Sequence, residues 1–321
     1  MIEAFRKAMA ELKISGKIVA TDVTSASAAI VKADHGVVVP SVGTIQYMPT
    51  LQDIIREHHI GLLVPLTDLD VRVLARHRDA IERMGCRTMV GSEESVMLCR
   101  DKAKTNALLS KAGLAPIRTV SLDEFFRKPF YPCFVKPIRG SAGVGTGLIY
   151  NEKELRAHVA TYGELLLVQE HVPGQEFTID VYRTRKGEVK CVVPRLRLAV
   201  RSGEVEKGMT LKDAGLTQAV LKLVPHLGDI WGVFCCQCRR HANGPPRFFE
   251  VNPRFGGGSP LSVAAGANLP LYLLQEVLDL PVTAEVGKFT DHLLMLRYDD
   301  AVFVPAGDYT KLPGYDGPTF R

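Results

Sequence analysis

RFFEVNPRFGGG, residues 247–258, places a carboxylate, an amide and a guanidinium at two-residue intervals in Glu250, Asn252 and Arg254. On an extended strand, residues two apart leave the same face, so Glu250 and Asn252 point together. A carboxylate beside an amide oxygen is a hard-ligand pair suited to Mg²⁺, which takes few protein groups and otherwise binds phosphates and water. Arg254 follows where its fork can neutralise a transferring phosphoryl group. Just upstream, WGVFCCQCR (231–239) reads as a strand, and HANGPP (241–246) as the turn of a hairpin that brings Gln237 to Glu250. Gln237, Glu250 and Asn252 are therefore the candidate metal ligands. The competing reading is a plain surface strand, since buried polar groups without a ligand need many compensating bonds.

The same segment holds a CxxC, Cys235 to Cys238. Residues three apart on a strand face opposite ways, so these thiols cannot share a metal, and small apolar thiols in a buried strand are expected. Seven cysteines at irregular spacing argue against a disulfide framework and for a reducing cytoplasm.

Further upstream, FVKPIRGSAGVGTG (134–147) ends a strand at Lys136 and opens a glycine loop containing Ser141, Gly143, Val144 and Gly145. Such a loop can lay several backbone N–H groups on phosphate oxygens. It is not a Walker A loop, because the lysine precedes the glycines, and a plain hairpin turn is the alternative. VQEHVPGQEF (168–177) joins a strand to a turn and ends near Glu176; alone it reads as a loop.

Outward from these motifs the chain divides. Residues 1–93 alternate amphipathic helices with short apolar strands, KIVATD (17–22), VVVP (37–40) and GLLVPL (61–66), as a parallel sheet covered on both faces requires. A single helix over 94–112 leads to a small α+β unit ending near 168. Residues 169–321 read as a larger mixed sheet with helices, EFTIDVYR, GEVKCVVPRLR and the hairpin above, followed by helices at SPLSVAAGA and LPLYLLQEVLD.

Taken in order, DK (101–102), FVKP with its glycine loop, QEHVPGQE and CCQC…FEVNPRFGGG resemble the ATP-grasp superfamily, and within it the carbamoyl-phosphate-synthase-like branch. The resemblance covers about residues 17–275. It implies an ATP-grasp fold, α/β and α+β, with a Rossmann-like pre-ATP-grasp domain, a small lid subdomain and a C-terminal mixed-sheet subdomain. It further implies that Lys102 and Lys136 contact nucleotide and phosphates, with Ser141–Gly145 closing over them. Glu170, His171 and Val172 would hold adenine and Glu176 the ribose. Gln237, Glu250 and Asn252 would bind Mg²⁺ or Mn²⁺, and Arg254 would meet the reacting phosphate.

The implied activity is that of a carboxylate–amine ligase. ATP activates a small-molecule carboxylate as an acyl phosphate, and an amine displaces phosphate. Phosphorylation of bicarbonate or carbamate, and a non-catalytic ATP-binding subunit, are the alternatives. The sequence departs from the branch pattern at RLRLAVRSGEVEKGMT (195–210), a charged stretch read as a loop at the substrate end of ATP, with Arg201 and Lys207 as further catalytic candidates. It also opens on a helix, where related α/β domains open on a central strand. A late translation start is the preferred expectation, and a parallel sheet without that strand should contain a gap between buried neighbours.

Composition limits the remaining classes. A net charge of +5 is spread along the chain with no basic tail, which gives no support for a nucleic-acid partner. No run of about 18 apolar residues occurs, so no membrane partner is expected. A cytoplasmic enzyme is the reading, with a homodimer left open.

Overall fold

The computed structural model describes residues 1–138, 145–201, 203–242 and 244–305, with backbone only for Lys102 and Ala103. The first part runs α1 (Ile2–Glu11), β1 (Val19–Asp22), α2 (Ala28–Lys32), β2 (His35–Val38), α3 (Tyr47–Glu57), β3 (Leu62–Leu63), α4 (Asp68–Glu82) and β4 (Arg87–Thr88). Strand β1 pairs in parallel with β2, and β3 with β4, but the two pairs form separate sheets. Between them lies a cavity of about 120 Å³, lined among others by Val19, Thr21, Leu51, Ile55, Leu62 and Val64. Strands β1 and β3 are not paired with each other. Helix α4 starts cleanly because Thr67 Oγ1 accepts the Asp70 N–H, and Asp68 and Asp70 set negative charge at its N-terminus.

The single helix expected over 94–112 is two helices, α5 (Glu93–Arg100) and α6 (Lys102–Lys111). Asp101 between them is extended, with ψ 111°, and its carboxylate accepts the Lys104 N–H. The Thr105 hydroxyl turns back to the Leu98 carbonyl, 2.8 Å away. Lys102 thus becomes the first residue of a helix instead of a mid-helix position, at an end where backbone N–H groups are unpaired.

A four-stranded antiparallel sheet follows, in the order β5-β8-β6-β7: β5 (Thr119–Ser121), β6 (Cys133–Pro137), β7 (Gly147–Ile149) and β8 (Leu166–Glu170). It is backed by α7 (Leu122–Arg127) and α8 (Glu152–Tyr162) over a small core of Phe125, Cys133, Val135, Leu155 and Val168.

The largest sheet has the order β13-β12-β9-β10-β11-β14. Its strands are β9 (Gln175–Arg183), β10 (Val189–Arg201), β11 (Glu204–Thr210), β12 (Gly232–Arg240), β13 (Arg247–Asn252) and β14 (Leu294–Leu296). Read from the sequence as mixed, it is antiparallel throughout, because short turns join β9 to β10, β10 to β11 and β12 to β13. One face, with Phe177, Ile179, Phe234, Cys236, Cys238 and Phe248, packs on α9 (Ala214–Leu223) and shares one core with the first part of the chain. The other face is divided. Toward one end Tyr182, Cys191, Val193 and Val233 are covered by α10 (Ser259–Ala264) and α11 (Leu269–Val277). Helix α1 belongs to this cover, with Phe5 edge-on to Phe255 at 6.1 Å. Toward the other end the face is polar and faces the site. Among the described residues no helix is long and apolar enough to cross a membrane.

Candidate functional site

Strands β12 and β13 pair antiparallel, with Gln237 directly opposite Glu250 and Cys235 opposite Asn252. Strand β9 continues both rows, Thr178 opposite Gln237 and Asp180 opposite Cys235. Side chains directly opposite on neighbouring strands stand about 5 Å apart on one face, so Glu250, Gln237 and Asn252 form one cluster. Glu250 is exposed, Gln237 half-buried and Asn252 only 6% exposed. None of these three side chains has a hydrogen-bond partner among the described residues. The register slips by one residue just below, because Cys238 opposes Phe248 while Gln237 opposes Glu250. Phe249 is the extra residue of this β-bulge. The bulge turns the Phe249 ring toward the smaller sheet, where the Lys136 ammonium of β6 lies 5.8 Å from its centroid.

The two thiols of the CxxC sit on opposite faces, Cys235 in the polar row and Cys238 in the core. Burial pushes Cys235 up to about 12, and all seven cysteines are free and buried.

The nucleotide candidates of the β8–β9 segment are engaged with arginines. Glu170 Oε1 accepts from the Arg118 N–H and pairs with Arg247. His171 donates its N–H to the Pro132 carbonyl, and burial together with the nearby Arg239 lowers its pKa. Val172 is 9% exposed. Glu176 stands between Arg197 Nε at 3.0 Å and Arg239 Nη1 at 3.3 Å. Gly145 has φ +70°, and its carbonyl is 3.0 Å from His158 Nε2. Ser141, Gly143 and Val144 lie outside the described residues, as does the side chain of Lys102.

Two expectations need correction. First, residues 195–210 are not a loop: they complete β10 and form β11, and Arg195 is 1% exposed. Its Nε and Nη2 donate to the Asp180 carboxylate, each at 2.8 Å, and Ser262 Oγ donates to the same carboxylate at 2.6 Å. Alternating strand pattern overrides charge here, because the buried guanidinium finds a buried carboxylate two residues past Thr178. Gly258 is required beside it, since a Cβ there would stand 2.1 Å from Arg195 Nη1. Second, Arg201 and Lys207 are not brought to the cluster. Arg201 lies six residues beyond Arg195, roughly 20 Å along the strand. It is half-exposed and paired with Asp299 and Glu206. Lys207 is exposed opposite Ala199 and Leu296, against the edge strand β14.

Arg254 is present at the cluster, two residues past Asn252, but its fork faces the first part of the chain. Nε donates to Asp68 Oδ1 at 2.9 Å and Nη2 to Asp68 Oδ2 at 2.7 Å. Desolvation alone would lower its pKa, yet the Asp68 carboxylate raises it above the ordinary arginine value. Asp68 and Asp180 were missed by sequence reasoning. For Asp180 the signal was an acid inside the apolar strand EFTIDVYR; Asp68 is 186 residues from its partner and gave none.

The donor set fits a hard divalent cation: three oxygen-bearing side chains, one of them charged, on an open polar face. No group of three or more His, Cys, Asp or Glu that could hold a metal ion occurs among the described residues.

Residues 163–300 match the family profile "ATP-grasp in the biosynthetic pathway with Ter operon", and residues 1–90 match "PylC-like, N-terminal domain". The carbamoyl phosphate synthase large chain of Thermotoga petrophila is 24% identical over 299 residues, covering 83% of this chain and 27% of that protein. The chain therefore spans about a quarter of that relative. The D-alanine–D-alanine ligase of the same organism is 26% identical over 232 residues, covering 64% of this chain and 68% of the ligase. Among solved structures, a biotin carboxylase–nucleotide complex from Campylobacter jejuni superposes with TM-score 0.72 at 14% identity, covering 91% of this chain and 72% of that one. The L-amino acid ligase of Bacillus licheniformis superposes with TM-score 0.67 at 19% identity, covering 86% and 71%. Fold, motif order and both profile matches agree in likening residues 163–300 to ATP-grasp proteins and residues 1–90 to PylC-like N-terminal domains.

Proposed function

We propose that the chain is a Mg-ATP-dependent carboxylate–amine ligase. The observation that carries this reading is the cluster of Glu250, Gln237 and Asn252, unpartnered on the polar half of a sheet face and bordered by Lys136 above Phe249. Glu250 and Asn252 would hold Mg²⁺ or Mn²⁺, with Gln237 beside them. When bound, the cation neutralises phosphate oxygens and fixes their geometry. Lys136 and Lys102 would bind the phosphates, Glu170 to Val172 the base and Glu176 the ribose, with the segment holding Ser141, Gly143 and Val144 over them. The unspent N–H groups of Arg254 would meet the γ-phosphoryl as it passes to a carboxylate oxygen. Loss of phosphate to an incoming amine then forms the amide. Such transfer depends on positioning and charge stabilisation, so no nucleophilic side chain is required. Two of the similar proteins are named ligases of amino acids, which supports an amino-acid-like substrate pair.

A second reading, phosphorylation of bicarbonate, is favoured by the carbamoyl phosphate synthase likeness over most of this chain. The test is ADP release from Mg-ATP with amino acids in pairs and with bicarbonate, beside calorimetry of Mg-ATP. Lys136→Ala should weaken Mg-ATP binding about tenfold or more, the loss of a charged hydrogen bond. Wild-type nucleotide affinity in that variant would count heavily against this site.

A further inference from the structure

Asp68 makes more contacts toward the site than a helix-start aspartate needs. Its carboxylate takes both Nε and Nη2 of Arg254, a paired, planar contact that fixes the guanidinium's orientation. Arg254 Nη1 donates to the Phe255 carbonyl at 2.9 Å. A guanidinium has five N–H groups, so with three spent, two are left among the described residues. Asp68 also holds the other side of the site through its backbone, since its carbonyl accepts from Arg100 Nη1 at 2.6 Å. Arg100 ends α5, two residues before Lys102 opens α6. One residue of the first part of the chain therefore braces the arginine beside the oxygen cluster and the turn that presents Lys102.

We propose that Asp68 is a positioning residue that aims the two unspent N–H groups of Arg254 at the transferring phosphoryl group. The proposal rests on the reading of this site as one of phosphoryl transfer. Its physical basis is orientation. An arginine on an extended segment after Asn252 has several rotamers, and a donor helps a developing charge only where it already points. The carboxylate holds one edge of the fork still and leaves the rest for the ligand. Because the brace comes from the start of α4, the phosphate end of the site is complete only when the first part of the chain is docked on β13.

The test uses the full chain and a readout that needs no knowledge of the acceptor. Affinity for MgADP is measured by calorimetry with and without aluminium fluoride, a stand-in for the phosphoryl group in flight. Wild type should bind MgADP, and fluoride should tighten it. In Asp68→Asn, MgADP affinity should stay near wild type while the fluoride-dependent gain falls by about 10–100-fold, the scale of a misplaced catalytic donor. Asp68→Glu keeps negative charge at the start of α4 and displaces the fork, so it should lose part of the gain while melting close to wild type. In an Arg254→Ala background Asp68→Asn should cost nothing further, whereas a purely structural role would lower both backgrounds alike. A full fluoride gain in folded Asp68→Asn overturns the proposal. If wild type binds MgADP but fluoride adds nothing, the phosphoryl-transfer reading itself fails, and the proposal with it. That result is told apart by appearing before any substitution is made.

Discussion

Neighbouring strands on one sheet face treat polar residues in opposite ways. Under α10 and α11, Asp180 is fully buried and its carboxylate receives two N–H groups from Arg195 and one hydroxyl from Ser262. Across the same two rows, on β12 and β13, Glu250 and its neighbours Gln237 and Asn252 receive no hydrogen bond from the described protein. The closed set is satisfied, so it can hold a fold but has little left for a ligand. The open set lies where solvent, a cation or phosphates can complete it. Charge alone does not separate scaffold from site. What separates them is how much of a group's hydrogen-bonding capacity the fold has already used.

The comparison is broken most directly at the closed set. Arg195→Ala leaves the Asp180 carboxylate buried without its guanidinium, which should cost about 3–5 kcal/mol. Urea or thermal unfolding would read it, and a variant as stable as wild type would remove the structural role given to the pair. At the open set the order reverses. Glu250→Gln should leave the melting temperature within a degree or two, while turnover of Mg-ATP falls about 100-fold or more, roughly 3 kcal/mol in the barrier. Near-normal turnover would remove Glu250 from the chemistry.

A smaller effect tests the joint between the first part of the chain and the large sheet. Desolvation would raise the pKa of Asp229, but Arg78, Ser92 and Ser95 hold it well below the ordinary value of 3.8. A carboxyl depressed in the folded state stabilises above its unfolded pKa, and that stabilisation is lost as pH falls toward the folded value. The carboxylate is half-exposed, so screening reduces its contribution to about 1 kcal/mol. Asp229→Asn should therefore melt below wild type at pH 7, and the difference should shrink below about pH 4. A difference that grows on acidification contradicts this account. The smallest effect is expected at Arg201, whose pairs are on the surface. Arg201→Glu should change neither Mg-ATP affinity nor turnover by more than about twofold, as for an exposed ion pair. A large rise in an acceptor's KM would restore it to the site.

Legibility in the sequence followed the range of each interaction. Glu250 and Asn252 share a face because they are two apart, and NGPP marks the turn that delivers Gln237. Both facts are local. The slip at Phe249 is not, because strand alternation carries no sign of an inserted residue, and so the contact with Lys136 was invisible. Arg195 was misread because its partner lies on another strand, and a charge at the end of an apolar run resembles the start of a loop. The break at Asp101 was hidden inside a helix-like pattern, although DK followed by a threonine is a helix-start signal. Asp68 could not be assigned from sequence, since nothing local links the start of α4 to a strand near the other end of the chain.

The divided sheet of the first part has a dynamic consequence. Val19 and Thr21 of β1 and Leu62 and Leu63 of β3 line the cavity, so each strand has backbone ladder partners on one side only. Opening either pair breaks few contacts, whereas β9 and β10 are locked between neighbours on both sides. Deuterium uptake should therefore be graded along the chain. Amides of β1 and β3 would exchange through local opening, long before those of β9 and β10, which would wait for global unfolding. Through Asp68, which follows β3 by a few residues, that soft region is joined to Arg254, so a nucleotide that orders the arginine would slow exchange in strands it never touches.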